Sequence, residues 1–217
     1  MVTLYGVDAS PLMTPEALAD IEWWLDDSRR RRVQRLQVPE KQAQCAAAGL
    51  LLTYLCGKNG TPPTLFHGSR GKPYLYGRED LFFSLSHTGQ WVFCALSDKE
   101  IGLDAQALSP HNPAIVARHF SSSEQAWLEE QGDKDITFTC LWCMKEAYLK
   151  LTGFGMVLPM SSFTVPIPPA DGWDEQNRCG WGLTTYEDVQ IALCGETVDT
   201  APAIKILSIE ELKSLPD

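Results

Sequence analysis

The stretch LFFSLSHTGQWVFCALSDKEIGLDAQ, residues 81–106, contains three apolar runs separated by short polar connections. The runs are LFFSLS, WVFCALS and EIGLDAQ, and both connections are short enough for hairpins. The stretch therefore predicts three strands paired in chain order. With that pairing Asp104 lies near Phe93, which lies near Ser84, and His87 is about 10 Å from Asp104 at ~3.3 Å per residue.

Helical patterns flank these strands on both sides. Before them, residues 14–36 and 39–55 have apolar residues at helical spacing, and the Gly- and Pro-rich segment 57–80 is typical of a long loop. After them, one helix is expected from Ser121 and another over residues 136–152. Strand-like segments end the chain, namely SSFTVPI, WGLTTYE, VQIALCG and AIKILSI.

This order of helices and strands, repeated once, predicts an α+β fold of two similar halves. We place the halves at residues 1–106 and 107–217. The 18 basic and 28 acidic residues give a net charge of −10, which argues against nucleic acid as a partner.

The chain is also expected to have no membrane span, because its longest apolar run, residues 46–56, is too short and is interrupted by polar residues. The first residues lack the pattern of a secretory signal, and seven irregularly spaced cysteines are typical of reduced thiols. We therefore expect a cytoplasmic protein.

Ser86 and His87 fall at the tip of the first predicted hairpin. They could simply hydrogen-bond within the turn. Alternatively, the hydroxyl, the exposed amides of the tight turn and the imidazole could together hold an anion.

The predicted helix over 136–152 carries Glu146 and Lys150 four residues apart, on one face. Such a pair is frequent on solvent-exposed surfaces and contributes little there. Together with Asp104 at a strand end, however, Glu146 could ligate a hard cation while Lys150 and Lys145 neutralise phosphate oxygens. Mg²⁺ favours an environment of one or two carboxylates, waters and substrate phosphates.

Three other polar groups have ordinary structural explanations. Glu124 ends SSSE, which is also the capping box of a helix starting at Ser121, so a cap and a catalytic role stay open. The Cys140–Cys143 spacing lacks a second matching pair, and we reject a zinc site. The basic run at 29–32 is either a solvated face or a binding surface for phosphate or an acidic protein.

Taken together, the segments resemble the phosphopantetheinyl transferases of the surfactin-synthetase-activating type. The resemblance covers five motifs in order over residues 71–150, which are GKP (71–73), FSLSHTGQW (83–91), IGLD (101–104), FSSSE (120–124) and WCMKEAYLK (142–150). The last is similar to the family signature W-x-x-K-E-A-x-x-K and is the most specific of the five.

The resemblance implies a monomer with a pseudo-twofold α+β fold and coenzyme A (CoA) in the cleft between the halves. It implies transfer of the 4'-phosphopantetheine group to a serine of an acyl or peptidyl carrier protein, with adenosine 3',5'-bisphosphate as the other product. The implied residue roles are Lys72 and Pro73 beside the adenine, Ser86 and His87 on phosphates, Lys150 on the pyrophosphate, Asp104 and Glu146 on Mg²⁺, and Glu124 near the metal. Either Glu146 or Glu124 takes the proton of the acceptor serine, directly or through water.

Two positions depart from the family pattern. A third acidic metal ligand is common two residues after Asp104, where this chain has Gln106, so an amide oxygen or a water would replace it. A basic residue that contacts the 3'-phosphate is often found where this chain has Cys45, and Arg29 or Arg32 could take its place. These departures keep open a binding module without turnover. Another Mg²⁺-dependent enzyme that uses the same Asp104 and Glu146 on a nucleotide diphosphate is a second alternative.

Overall fold

The structure is a computed structural model that describes residues 1–214, apart from the side chain of Met156. Its helices are α1 (Pro15–Asp20), α2 (Asp27–Arg35), α3 (Pro39–Cys56), α4 (Pro113–His119), α5 (Ser122–Glu129), α6 (Lys134–Thr152) and α7 (Ile209–Lys213). Its strands are β1 (Val2–Asp8), β2 (Leu65–His67), β3 (Pro73–Leu75), β4 (Phe82–Thr88), β5 (Trp91–Ser97), β6 (Ile101–Ala107), β7 (Gly172–Asp174), β8 (Cys179–Tyr186), β9 (Val189–Gly195) and β10 (Ile204–Leu207). None of the helices in this described part is long and apolar enough to cross a membrane.

Two four-stranded sheets form the centre of the molecule, with strand orders β10-β1-β5-β4 and β6-β9-β8-β7. Within them, β1-β5-β4 and β6-β9-β8 are both antiparallel. Each half therefore runs strand, long helix and hairpin, with α3 packed on the first sheet and α6 on the second. A third apolar cluster lies between the halves and contains Phe93, Leu103 and Leu193. The predicted α+β fold of two similar halves is confirmed.

The predicted hairpin between β5 and β6 is wrong. The two strands lie in different sheets, and Asp104 is opposite Ala192 of β9. Both strands are almost fully buried, so neither shows the polar alternation that would assign it to a particular neighbour. A short connection can cross between two sheets as well as turn within one. The β4–β5 hairpin is present, with Ser86 opposite Phe93.

The helix predicted over 14–36 is interrupted. Leu25 has extended backbone angles, and the Asp26 side chain accepts a hydrogen bond from the amide of Arg29, which starts α2 as a separate helix. SSFTVPI forms no strand, whereas the other three tail segments match β8, β9 and β10. The helices α4 and α7, the strands β1 and β7, and the small β2–β3 hairpin inside the expected loop were not predicted.

The ends of the two halves differ from the division at residue 106. Strand β6 belongs to the second sheet, and β10 returns to pair in parallel with β1 of the first. Leu207, Ile209 and Leu212 join the apolar core beneath α3. We therefore propose a boundary near residues 98–100, with residues 204–214 assigned to the first half.

Gly102 sets how closely α6 can approach β6. A Cβ atom at this position would lie 2.0 Å from the carbonyl oxygen of Ala147 and 2.6 Å from the amide nitrogen of Leu151. Both are backbone atoms of α6, which cannot move aside as a side chain end can. The absence of a side chain at Gly102 therefore brings the helix that carries Glu146 and Lys150 against the strand that carries Asp104.

We expect Gly102→Ala to destabilise the protein by about 2–3 kcal/mol, because the added methyl group overpacks this contact. Urea unfolding measures the loss. The matched control is Gly132→Ala, since a Cβ there meets nothing within 4 Å, and its effect should stay within about 0.5 kcal/mol. Equal stability of the two variants would show that the close approach at Gly102 is unimportant.

Candidate active site

A cleft of about 800 Å³ lies between the two halves. The first half contributes residues 70–73 and 83–85, and the second contributes one face of α6 and the loop that follows it. Among the predicted site residues, Lys72, Pro73, Glu146 and Lys150 line this cleft. The far end is formed by Arg118, His119 and Trp142, to which no role was given from the sequence.

Asp104 and Lys150 meet at the edge of β6. The Lys150 ammonium lies 2.7 Å from Asp104 Oδ1 and also donates to the carbonyl of Leu85 at 3.2 Å. Ser86 Oγ donates to the same Asp104 oxygen at 2.7 Å. Asp104 is buried and Lys150 is half-buried, so this is a partly desolvated ion pair within the second half. Its bonds to Ser86 and to the Leu85 carbonyl link it to the first half.

Glu146 lies one helical turn before Lys150 and is half-buried in the cleft. Burial raises the pKa of its carboxyl, the negative charge of Asp104 raises it further, and Lys150 opposes the shift. The negative charge of Asp104 thus reaches the Glu146 carboxyl.

These carboxylates fit a hard divalent cation. Two carboxylates beside a cleft large enough for a phosphorylated ligand match the environment that Mg²⁺ selects. Gln106 follows Asp104 on the same face of β6 and is half-buried, so its amide oxygen is the third candidate. No cluster of three or more His, Cys, Asp or Glu in residues 1–214 is arranged to hold a metal, so the fit rests on two carboxylates.

His87 lies at the β4–β5 tip among several cations. Its side chain is exposed at the surface, yet the protein packed beside the ring disfavours the charged form and lowers its pKa. The positive charges of Lys41, Lys150 and Arg32 lower the pKa further, against the opposite effect of Asp104. Lys41 was missed from the sequence, although it lies one turn before Cys45 on α3.

Arg29 lies close to this region but is engaged by the protein. Its guanidinium donates to the Cys45 carbonyl at 3.3 Å, and its side chain packs over Gly49. Arg32 is exposed. Of the two arginines, Arg32 is therefore the more available to a ligand.

Lys72 ties the two halves together at the other end of the cleft. Its ammonium lies 2.5 Å from Glu100 Oε2 and 2.8 Å from the carbonyl oxygen of Leu151 at the end of α6. The side chain is thus held by the protein, while the neighbouring Gly71 and Pro73 line the cleft beside it.

Glu124 and Lys145 are outside the cleft. Both are fully buried, with the Lys145 ammonium 2.7 and 2.8 Å from the two carboxylate oxygens and 2.8 Å from the Phe163 carbonyl. Glu124 also completes the capping box of α5 and accepts from the Val165 amide. Burial lowers the pKa of Lys145, whereas the charge of Glu124 and its hydrogen bond oppose that shift. The pair links α5, α6 and the segment after residue 162.

Fold and cleft together define a two-half α+β protein whose candidate site combines two carboxylates with several cations. A family model described as the 4'-phosphopantetheinyl transferase superfamily matches residues 100–194. A 4'-phosphopantetheinyl transferase of Bacillus subtilis is 34% identical over 153 residues, which are 65% of this chain and 67% of that protein. The 4'-phosphopantetheinyl transferase HetI of a Nostoc species is 31% identical over 186 residues, 80% of this chain and 78% of that protein. The chain therefore belongs to the 4'-phosphopantetheinyl transferase family.

We expect Glu124→Gln or Lys145→Met alone to destabilise the protein by about 3–5 kcal/mol, because each leaves an unpaired charge in the core. The double variant Glu124→Leu/Lys145→Met should cost less than either single change. Free energies of unfolding in urea measure all three.

The matched control is Arg78→Ala, which removes an exposed ion pair with Asp80 and should change stability by less than about 1 kcal/mol. A Glu124→Gln protein of normal stability that has lost all activity would contradict the structural role.

Proposed function

We propose that this chain transfers the 4'-phosphopantetheine group of CoA to a serine of an apo acyl or peptidyl carrier protein. The serine oxygen attacks the β-phosphorus of CoA, the bond from that phosphorus to the bridging oxygen breaks, and adenosine 3',5'-bisphosphate leaves. The observation that carries the proposal is the ion pair of Lys150 with Asp104 beside the cleft that Glu146 and Lys150 line. Family membership supports the same reaction.

Asp104 and Glu146 are proposed to hold Mg²⁺, with Gln106 or a water as a further ligand. The ion supplies positive charge to the pyrophosphate oxygens, where negative charge develops during transfer. Lys150 adds a second positive charge from the protein itself. The cleft walls keep the pyrophosphate in line with the attacking oxygen.

The remaining contacts to CoA are proposed for residues that line the cleft and for the cations around His87. Lys150 and His87 bind phosphate oxygens, and Arg32 adds positive charge near His87. Arg29 contributes less, because its guanidinium is bound to the Cys45 carbonyl. Pro73 and the backbone beside Lys72 flank the adenine, since the Lys72 ammonium is already bound to Glu100.

Glu146 is proposed to take the proton of the acceptor serine, directly or through water. Of Asp104, Glu124 and Glu146, it is Glu146 that lines the cleft. Glu124 and Lys145 are not proposed to touch the reacting groups, because both are fully buried in the second half.

We further propose that the enzyme is cytoplasmic. It is proposed to act as a monomer, because one chain supplies both halves and hence both walls of the cleft. Its carrier partner is expected to dock on a local basic and apolar surface, since the overall charge of −10 opposes an acidic partner. The exposed arginines of α2, which include Arg31 and Arg32, are candidates for it.

Incubation with CoA, Mg²⁺ and an apo-carrier, followed by mass spectrometry, tests the transfer. The carrier should gain the mass of one phosphopantetheine group. Asp104→Asn and Glu146→Gln should each slow the gain by roughly 100-fold or more, since each weakens the binding of the cation whose positive charge would act on the pyrophosphate. Glu196→Gln, an exposed carboxylate outside the cleft, should leave the rate unchanged.

No mass gain with acyl and peptidyl carriers alike would contradict the proposal. Binding of CoA without any gain would favour the non-catalytic module. Release of a different product from CoA would favour another nucleotide-diphosphate enzyme.

A second test uses His87, whose lowered pKa leaves the imidazole neutral at neutral pH in the free protein. A bound phosphate raises the pKa of the imidazole, so CoA binding should take up protons and should strengthen as the pH falls toward 6.5, the ordinary value of histidine. Calorimetry in buffers of different ionisation enthalpy measures the uptake. His87→Asn should reduce it, and the exposed His67→Gln should not. Equal uptake by His87→Asn and the wild type would remove His87 from the phosphate site.

A further inference from the structure

The hydroxyl of Ser86 has three hydrogen-bond partners. It donates to Asp104 Oδ1 at 2.7 Å, and it accepts from the Ala105 amide at 3.1 Å and from the Lys150 ammonium at 2.9 Å. The side chain is buried, with 6% of its surface exposed. All three partners belong to the second half, whereas Ser86 is on β4 of the first.

These partners use the whole hydrogen-bonding capacity of a serine hydroxyl, which has one hydrogen and two acceptor lone pairs. A phosphate oxygen can only accept, so it would need the hydrogen that now lies on Asp104. Movement of Lys150 toward a phosphate would free a lone pair of Ser86 but not its hydrogen. Contact between Ser86 and a phosphate would therefore break the bond to Asp104.

Ser86 is also the middle member of a series along β4. Ser84, Ser86 and Thr88 point toward β6, where their hydroxyl oxygens accept from the amides of Leu103, Ala105 and Ala107 at 3.0, 3.1 and 3.0 Å. The side chains thus replace a backbone ladder between the edges of the two sheets. Of the three hydroxyls, Ser86 is the one bonded to a carboxylate.

We propose that Ser86 is a positioning residue, whose hydroxyl fixes the Asp104 carboxylate for a divalent cation and does not bind the 3'-phosphate of CoA. The proposal rests on the proposed function only in taking Asp104 as a metal ligand. Both hydrogen bonds to the Asp104 carboxylate end on Oδ1, and within residues 1–214 none reaches Oδ2. The carboxylate is therefore oriented through one oxygen and leaves the other for a cation. Hydrogen bonds of this kind to a ligating carboxylate commonly change metal affinity 10–100-fold.

The test measures Mn²⁺ binding to the protein alone by electron paramagnetic resonance, with Ser86→Ala, Ser86→Thr and Thr88→Val. Ser86→Ala should bind Mn²⁺ roughly 10-fold more weakly than the wild type. Ser86→Thr keeps the hydroxyl and should restore binding. Thr88→Val removes a hydroxyl of the same series without touching Asp104, so its affinity should match the wild type.

A second measurement compares the affinities for CoA and for 3'-dephospho-CoA. If Ser86 positions Asp104, Ser86→Ala should leave their ratio unchanged, whereas a ligand of the 3'-phosphate would lose its preference for CoA. A changed ratio overturns the proposal. Wild-type Mn²⁺ affinity in Ser86→Ala overturns it too. So does a Thr88→Val protein whose Mn²⁺ affinity falls as much as that of Ser86→Ala, because the loss would then come from the contact between β4 and β6 in general.

The two proposals fail separately. Mn²⁺ and nucleotide binding are measured without a carrier protein. A wild-type protein that binds Mn²⁺ but transfers nothing would refute the proposed function, and the comparison of Ser86→Ala with Ser86→Thr would still decide the role of Ser86.

Discussion

The site depends on the position of strand β6, which is held on two sides. On one side the absence of a side chain at Gly102 lets the backbone of α6 approach closely. On the other, the hydroxyls of β4 bind the amides along the β6 edge. Asp104 lies where these two contacts meet, so one strand brings a carboxylate of the second sheet to the first half and to the helix that carries Glu146 and Lys150. A shift of β6 relative to α6 would separate the Lys150 ammonium from the Asp104 carboxylate, which lie 2.7 Å apart.

Much of this arrangement follows from the sequence. The three strands over residues 81–106, both long helices and the shared helical face of Glu146 and Lys150 are local features, set by spacing and turn length. Sheet membership is not local. The β5–β6 hairpin was predicted because a short connection usually joins paired strands, yet β6 pairs with β9, which is more than 80 residues later in the chain. In place of this hairpin, the edge of β6 is contacted by side-chain hydroxyls of β4. The alternation of polar and apolar residues along a strand does not predict such a contact.

The two lysines of the signature on α6 show the same limit. Lys145 and Lys150 are separated by roughly 140° around a helix of 3.6 residues per turn, so they cannot both face one ligand. Helix α6 is buried on most of its surface, and its apolar residues therefore do not reveal which side faces the cleft. The phosphate-binding interpretation assigned both lysines the same role. The structure places Lys145 in the core against Glu124 and Lys150 at the cleft.

The two ion pairs of this helix differ in what surrounds them, and the difference explains their separate roles. Glu124 and Lys145 have backbone partners as well as each other, and they are closed off from solvent. Such a pair gives up much hydration and has no capacity left for a ligand, so it can only fix the packing of its neighbours. Lys150 remains about one-third exposed and borders a cleft with a second carboxylate, Glu146. The like charges of Asp104 and Glu146 disfavour each other, and a single lysine offsets them only in part. Additional positive charge at this point is therefore stabilising, which is the physical reason for expecting a divalent cation here and not at Glu124.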